Sequence, residues 1–228
     1  MIRNIVFDIG MVLIDFDWSG FLRKSGCSEE GIAVIGERAV KNPLWRTMDQ
    51  GLYPEEEITR MLTDSVGPQY GNWIPRMLSH YGEMCRPFAY TGPWLRRLKE
   101  AGFGLYVLSN FSSFGFERSR EKFAFLELTD GLLLSCDVRL LKPDPAIFAA
   151  LCGKYGLVPG ECLFFDDLPE NAQGASKFGL HGQTFVYPRR PEDWDAALLE
   201  PVRECLRRAG QPVPEALQTP LTPDPGRV

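Results

Sequence analysis

Short, wholly apolar runs alternate with helix-like segments over much of the chain. Ile5-Val6-Phe7 is followed at once by Asp8 and Gly10, a pattern suited to a strand buried on both faces, as in a parallel sheet. The same pattern recurs at residues 104–108, which run into Ser109-Asn110, and at Leu132-Leu133-Leu134. It recurs again at Cys162-Leu163-Phe164-Phe165, which ends in Asp166-Asp167, and at Thr184-Phe185-Val186-Tyr187. Helix signals fall between these runs. Pro93, Pro145 and Pro169 stand where a helix can begin, and Gly102, Gly156 and Gly179 stop the segments that follow. Strand–helix alternation through residues 89–187 predicts an α/β fold with a Rossmann-like, doubly wound parallel sheet.

Residues 18–86 depart from this alternation. Gly26, Pro43, Pro54, Pro68 and Pro75 punctuate helical patterns, and no run there reads as a strand. Asp49-Gln50-Gly51-Leu52-Tyr53-Pro54 reads as a turn feeding a helix with Glu55, Glu56 and Glu57 in its first turn, where the helix dipole favours acids. A helical insertion after the first strand would overhang the carboxyl ends of the strands, where ligands bind in such sheets. The expected organisation is a core from 1–17 and 87–208, a helical cap over 18–86, and a tail over 209–228. A helix is expected over 194–208. The tail has five prolines after Gly210 and no periodicity, and reads as flexible.

Composition changes this picture only by exclusion. Apolar residues make up 44% of the 228 positions, which rules out global disorder. A net charge of −5 argues against a nucleic-acid face or a polybasic membrane anchor. The longest uncharged run, residues 101–116, falls short of the ~20 apolar residues a membrane span needs. Asp8 and Asp15 interrupt the N-terminal apolar stretch, so no signal peptide is expected and a cytoplasmic location is. Six cysteines without a close pair read as free thiols. His80 and His181 lack metal-ligand spacing. Chemistry must come from carboxylates, lysine and hydroxyls.

Four polar clusters sit at predicted strand ends: Asp8, Ser109-Asn110, Lys142 and Asp166-Asp167. In a parallel sheet those ends lie along one edge, so the clusters can converge. Each alone has an ordinary explanation as a cap, a turn or a solvated loop. Asp166-Asp167 resists it, because adjacent carboxylates at the mouth of an apolar strand repel each other and resist desolvation unless a cation compensates. Three carboxylates and a phosphate dianion against one lysine would leave four negative charges uncompensated, a load that calls for a divalent metal.

The set and its order resemble the haloacid dehalogenase-like (HAD) hydrolase superfamily, whose members are mostly phosphatases. The matching segments are Phe7-Asp8-Ile9-Gly10-Met11-Val12-Leu13, Val107-Leu108-Ser109-Asn110, Lys142-Pro143-Asp144-Pro145 and Phe164-Phe165-Asp166-Asp167-Leu168-Pro169-Glu170-Asn171. The resemblance covers residues 1–190, including a cap between the first two motifs. It implies that Asp8 is a nucleophile forming an aspartyl-phosphate on a small phosphorylated metabolite. It implies that Ser109, the Asn110 backbone and Gly10 bind the phosphoryl group, that Lys142 neutralises charge, and that Mg²⁺ is held by Asp8, the Gly10 carbonyl, Asp167 and, directly or through water, Asp166.

One position departs from the usual phosphatase pattern. A second aspartate, the general acid and base, normally follows the nucleophile by two residues, and Gly10 stands there. Losing such a group costs ~10²–10⁴ in rate, so turnover is expected to depend on the leaving group unless another acid substitutes. Asp15 and Asp17 are the nearest in sequence, on the exit toward the cap. The opening and closing motifs look most like the glucose-1-phosphate phosphatase-like subgroup, which shares this glycine. Two alternatives stay open. One is a metal-independent 2-haloacid dehalogenase using Asp8, although those relatives commonly carry tyrosine at the Gly10 position. The other is a weakly active member serving as a binding module.

Overall fold

In the computed structural model, which describes residues 1–223, strand β1 (Asn4–Phe7) lies at the centre of a five-stranded sheet. A separate antiparallel pair is formed by β2 (Ile14–Phe16) and β3 (Cys85–Pro87). The sheet is completed by β4 (Gly104–Ser109), β5 (Gly131–Leu134), β6 (Cys162–Asp166) and β7 (His181–Thr184), in the order β5-β4-β1-β6-β7 with every neighbour parallel. This is the expected doubly wound α/β sheet.

The apolar runs are explained by burial on both faces. Ile5 and Phe7 of β1, Leu105 and Val107 of β4, and Leu163 and Phe165 of β6 enter one core cluster. Val6, Leu108 and Phe164, the alternate residues of the same strands, enter the other. Period-two alternation therefore sends each apolar run to two helical layers at once. On the first face lie α7 (Thr91–Glu100) and α12 (Glu200–Arg208), through Trp94, Leu98, Val202 and Leu206. On the second lie α10 (Pro145–Tyr155) and α11 (Pro169–Phe178), through Ile147, Phe148, Leu151 and Ala175. Asp144 caps α10 by accepting from Ala146 N at 2.8 Å, and Gly156 ends it at φ +65°, a left-handed turn that glycine adopts without strain.

Between β2 and β3 run six α-helices, α1 (Trp18–Lys24), α2 (Glu29–Ile35), α3 (Pro43–Asp49), α4 (Glu55–Val66), α5 (Trp73–Ser79) and α6 (Tyr81–Met84), and a π-helical turn (Gly36–Val40) that continues α2. Helix α3 and its C-cap dock on the loops beyond the strand ends. Gln50 donates to Arg139 O at 2.7 Å, Arg46 donates to Lys142 O at 3.3 Å, and the Ser135 hydroxyl donates to Asp49 O. The remaining α-helices among the described residues are α8 (Ser113–Ser119), after β4, and α9 (Ser135–Val138), after β5. No helix among the described residues is long and apolar enough to cross a membrane.

Three expectations are corrected. The last strand is residues 181–184, not 184–187: its backbone pairs with β6 from Leu163↔His181 to Asp166↔Thr184. Phe185 instead turns inward against Trp94, and Val186 faces solvent. The stretch 18–86 was expected to lack strands, yet β3 begins at Cys85 and closes against Phe16. The expected helix over 194–208 is present, as a π-helical turn (Asp195–Leu199) that runs directly into α12, with Pro201 in the first turn of α12. Part of the expected tail packs on the core as far as Leu221: Leu217 and Leu221 are buried, Arg97 donates to Ala216 O at 2.9 Å and Arg203 to Leu217 O at 2.6 Å. Arginine donors on α7 and α12 satisfy carbonyls of a segment that forms little secondary structure of its own. The part of the expected tail at 224–228 lies outside the described residues.

Candidate active site

Asp8 follows β1, and its N–H donates to Phe165 O at 2.9 Å, so it continues the sheet between β4 and β6. The chain order switches here: β4 and β5 lie on one side of β1, β6 and β7 on the other. In open α/β sheets that switch point leaves a crevice at the carboxyl ends. The loop beyond Asp8 folds back tightly, with Met11 N–H donating to Ile14 O at 2.7 Å and Ile14 N–H to Ile9 O at 3.0 Å.

Lys142 is wholly buried and its three ammonium protons have three acceptors. These are Asp166 Oδ2 at 2.7 Å, Asp8 Oδ1 at 2.9 Å and Leu108 O at 3.0 Å. Asn110 fixes the backbone that carries it. Its side-chain oxygen accepts from Lys142 N at 2.9 Å, and its amide donates to Lys142 O at 3.2 Å. The Asn110 side chain is thereby committed, which leaves its backbone as the part free to meet a ligand. Asp166 is committed too: besides Lys142 it accepts from Leu168 N and from Asn171 Nδ2, both at 2.9 Å. Asp167 is only partly buried and borders the cavity instead.

That cavity, about 160 Å³, is bordered on its polar side by Asp8, Gly10, Ser109, Asn110, Asp167 and Asp49. Phe16, Trp45, Tyr81 and Phe111 form its aromatic side. Of the sequence-derived candidates, Asp8, Gly10, Ser109, Asn110 and Asp167 border it directly, and Lys142 and Asp166 lie behind Asp8. Asp15 and Asp17 do not border it. Asp15 pairs across β2–β3 with Arg86, and Asp17 caps α1 by accepting from Gly20 N at 2.8 Å. Trp45 is buried and lines the cavity as well.

Sequence reasoning missed Asp49. It ends helix α3, its side chain is 8% exposed, and its Oδ1 has no hydrogen-bond partner. Burial, reinforced by the Asp8 charge, pushes its carboxyl well above the usual range. No strand end or spacing marks this residue, because its place depends on how far the inserted helices fold back over the sheet.

Oxygens of Asp8, Asp166 and Asp167 lie within 4.8 Å of one another, a cluster that could hold a metal ion. Burial raises the Asp8 carboxyl to about 6, with Lys142 pulling it down and Asp166 pushing it up. Burial and then the charges of Asp8 and Asp166 raise Asp167 to about 7. Burial alone would lower Lys142, but Asp166 and Asp8 outweigh it and hold the ammonium above its ordinary value. One lysine does not balance three carboxylates, and a hard divalent cation with oxygen ligands fits this donor set.

A pH dependence follows. Asp8 and Asp167 bind protons more tightly folded than unfolded, where a carboxyl titrates near ~4. Their contribution to stability is complete below that value and is lost as pH rises through 6 and 7. In chelator, the thermal midpoint is expected to fall between pH 5 and pH 8, and added Mg²⁺ to reverse most of the fall. A midpoint that climbs with pH in chelator would contradict this electrostatic description.

Residues 70–179 match the haloacid dehalogenase-like hydrolase family. The chain is 26% identical to (S)-2-haloacid dehalogenase 4A of Burkholderia cepacia over 208 residues, 87% of this chain and 89% of that protein. It is likewise 26% identical to D-ribitol-5-phosphate phosphatase of Bacteroides thetaiotaomicron over 206 residues, 85% of this chain and 95% of that protein. A HAD-family enzyme from Bacteroides thetaiotaomicron, in complex with magnesium and inorganic phosphate, shares the fold with a TM-score of 0.64 at 21% identity, over 81% of this chain and 94% of that one.

Proposed function

Because this chain belongs to the haloacid dehalogenase-like hydrolases, we propose that it is a Mg²⁺-dependent phosphatase of a small phosphomonoester, sugar phosphates included, working through an aspartyl-phosphate on Asp8. The observation that carries this is the cluster of three carboxylates, two of them paired with a single buried lysine. In this reading residues 18–86 form the cap over a core of 1–17 and 87–208, and the six free cysteines suit a reducing cytoplasm.

Asp8 Oδ1 is held by Lys142 at 2.9 Å and by Ile9 N–H at 2.7 Å, which orients the carboxylate and leaves its other oxygen to attack phosphorus. The phosphorus–oxygen bond to the leaving group breaks as the aspartyl-phosphate forms. Water then attacks that phosphorus, releasing phosphate and restoring the carboxylate. The Ser109 hydroxyl and the Asn110 N–H hold phosphoryl oxygens, and Lys142 offsets charge on nucleophile and phosphoryl group alike. Mg²⁺, bound by Asp8, Asp167, the Gly10 carbonyl and, directly or through water, Asp166, would neutralise the phosphoryl oxygens.

A haloacid dehalogenase must also hold the carboxylate of its substrate. Among the described residues the cavity border carries no arginine or lysine, and Asp49 adds a further acid there. A pure binding module has no need of three clustered carboxylates that cost stability. Phosphate release from a panel of small phosphomonoesters is expected to require Mg²⁺ and stop in chelator, with no halide released from 2-chloropropionate. Halide release that persists in chelator would replace this reading with the dehalogenase.

A further inference from the structure

We propose that Asp49, reaching the Asp8 cavity from the end of helix α3, is the general acid and base of the reaction. This rests on the phosphatase reading above. Both chemical steps move a proton. In the first, the leaving oxygen needs one as its bond to phosphorus breaks. In the second, the attacking water must lose one as it bonds to the phosphorus of the aspartyl-phosphate. Asp49 would give its carboxyl proton to the leaving oxygen, then take a proton from the water, and so return to its starting state.

The other groups bordering the cavity are unsuited. Asp8 is the nucleophile and Asp167 is committed to the cation. Tyr81 is deeply buried and its hydroxyl is pushed well above its ordinary range, which makes it a poor acid. Neither histidine borders the cavity, and Asp15 and Asp17 lie elsewhere.

Asp49, in contrast, is more than nine-tenths buried and keeps an oxygen with no partner, beside the same cavity as the nucleophile. Leaving such an atom unpaired is unfavourable, and buried polar groups in folded proteins are nearly always satisfied. The bridging ester oxygen of a bound phosphomonoester would supply the missing partner. Burial also pushes the carboxyl toward the protonated form that a donor requires. At Gly10 the opposite holds. A Cβ there would meet no atom within 4 Å, so that wall of the cavity is empty and no proton donor stands on it.

Acetyl phosphate and ethyl phosphate are close in size and differ in the acidity of the departing group. With Asp49→Asn, the pre-steady-state release of ethanol is expected to slow by about 10²–10⁴, while release of acetate stays within about tenfold of wild type. Acetyl phosphate should then leave Asp8 phosphorylated, since the second step also lacks its base. Mg²⁺ affinity by calorimetry is expected to be unchanged. Adding Gly10→Asp to Asp49→Asn, which the open space at Gly10 accommodates, should restore ethanol release. Equal slowing on both substrates, or no slowing on either, would overturn the role of Asp49. Wild type that releases phosphate from neither substrate nor from the wider panel would overturn the phosphatase reading instead.

Discussion

Replacing Asp8 with asparagine should lower phosphate release by on the order of 10⁴-fold or more, as removal of a nucleophile does when the machinery acts as a unit. The carboxamide has nearly the shape of the carboxylate, so packing at the end of β1 is kept. What is lost is the negative charge: the anionic oxygen proposed to attack phosphorus, and the ion pair with Lys142. Lys142 still pairs with Asp166 at 2.7 Å, so the variant should fold. Steady-state assays with Mg²⁺, alongside circular dichroism, check this. A folded Asp8→Asn protein that keeps a tenth of wild-type activity would remove Asp8 from the mechanism.

Lys142→Met is expected to be damaging in two ways. Activity should vanish with the charge that faces nucleophile and phosphoryl group. Stability should fall by about 3–5 kcal/mol, the usual result when one partner of a buried ion pair is removed and the other stays. Asp166 is completely buried and would keep only its two neutral donors, Leu168 N and Asn171. Urea denaturation in chelator measures the loss. Asp166→Asn added to Lys142→Met should recover part of it, since the stranded charge is then gone. A loss below about 1 kcal/mol would show that water or a rearrangement reaches Asp166, against the burial described here.

The same electrostatics links fold to function. The sheet places Asp8 at its switch point, between strands that deliver Ser109 on one side and Asp166-Asp167 on the other. Lys142 arrives from the loop beyond β5, and Asn110 positions it through its backbone. The two acids of the last motif divide their tasks by exposure. Asp166 anchors Lys142 and the start of α11, while Asp167 faces the cavity.

What the sequence made legible follows from burial on two faces. β1, β4 and β6 are interior strands, so their apolar runs stand out and the polar residues that follow them mark one sheet edge. β7 is an edge strand of polar residues, His181 to Thr184, and its identity lies in backbone pairing with β6 rather than in side chains. β2 and β3 are three residues each and are joined across the whole insertion, so neither has a local signature. The tail packs because distant arginines, Arg97 and Arg203, satisfy its carbonyls. Asp49 was hidden for the same reason: a carboxylate at a helix end looks like a turn residue until tertiary folding brings it beside Asp8.

The most direct test is to mix enzyme, Mg²⁺ and a phosphomonoester, quench in acid during turnover, and map the peptides by mass spectrometry. The peptide containing Asp8 should carry the mass of one phosphoryl group on Asp8, absent from the Asp8→Asn protein. Phosphate release at full rate with Asp8 unmodified in every quenched sample would contradict the account.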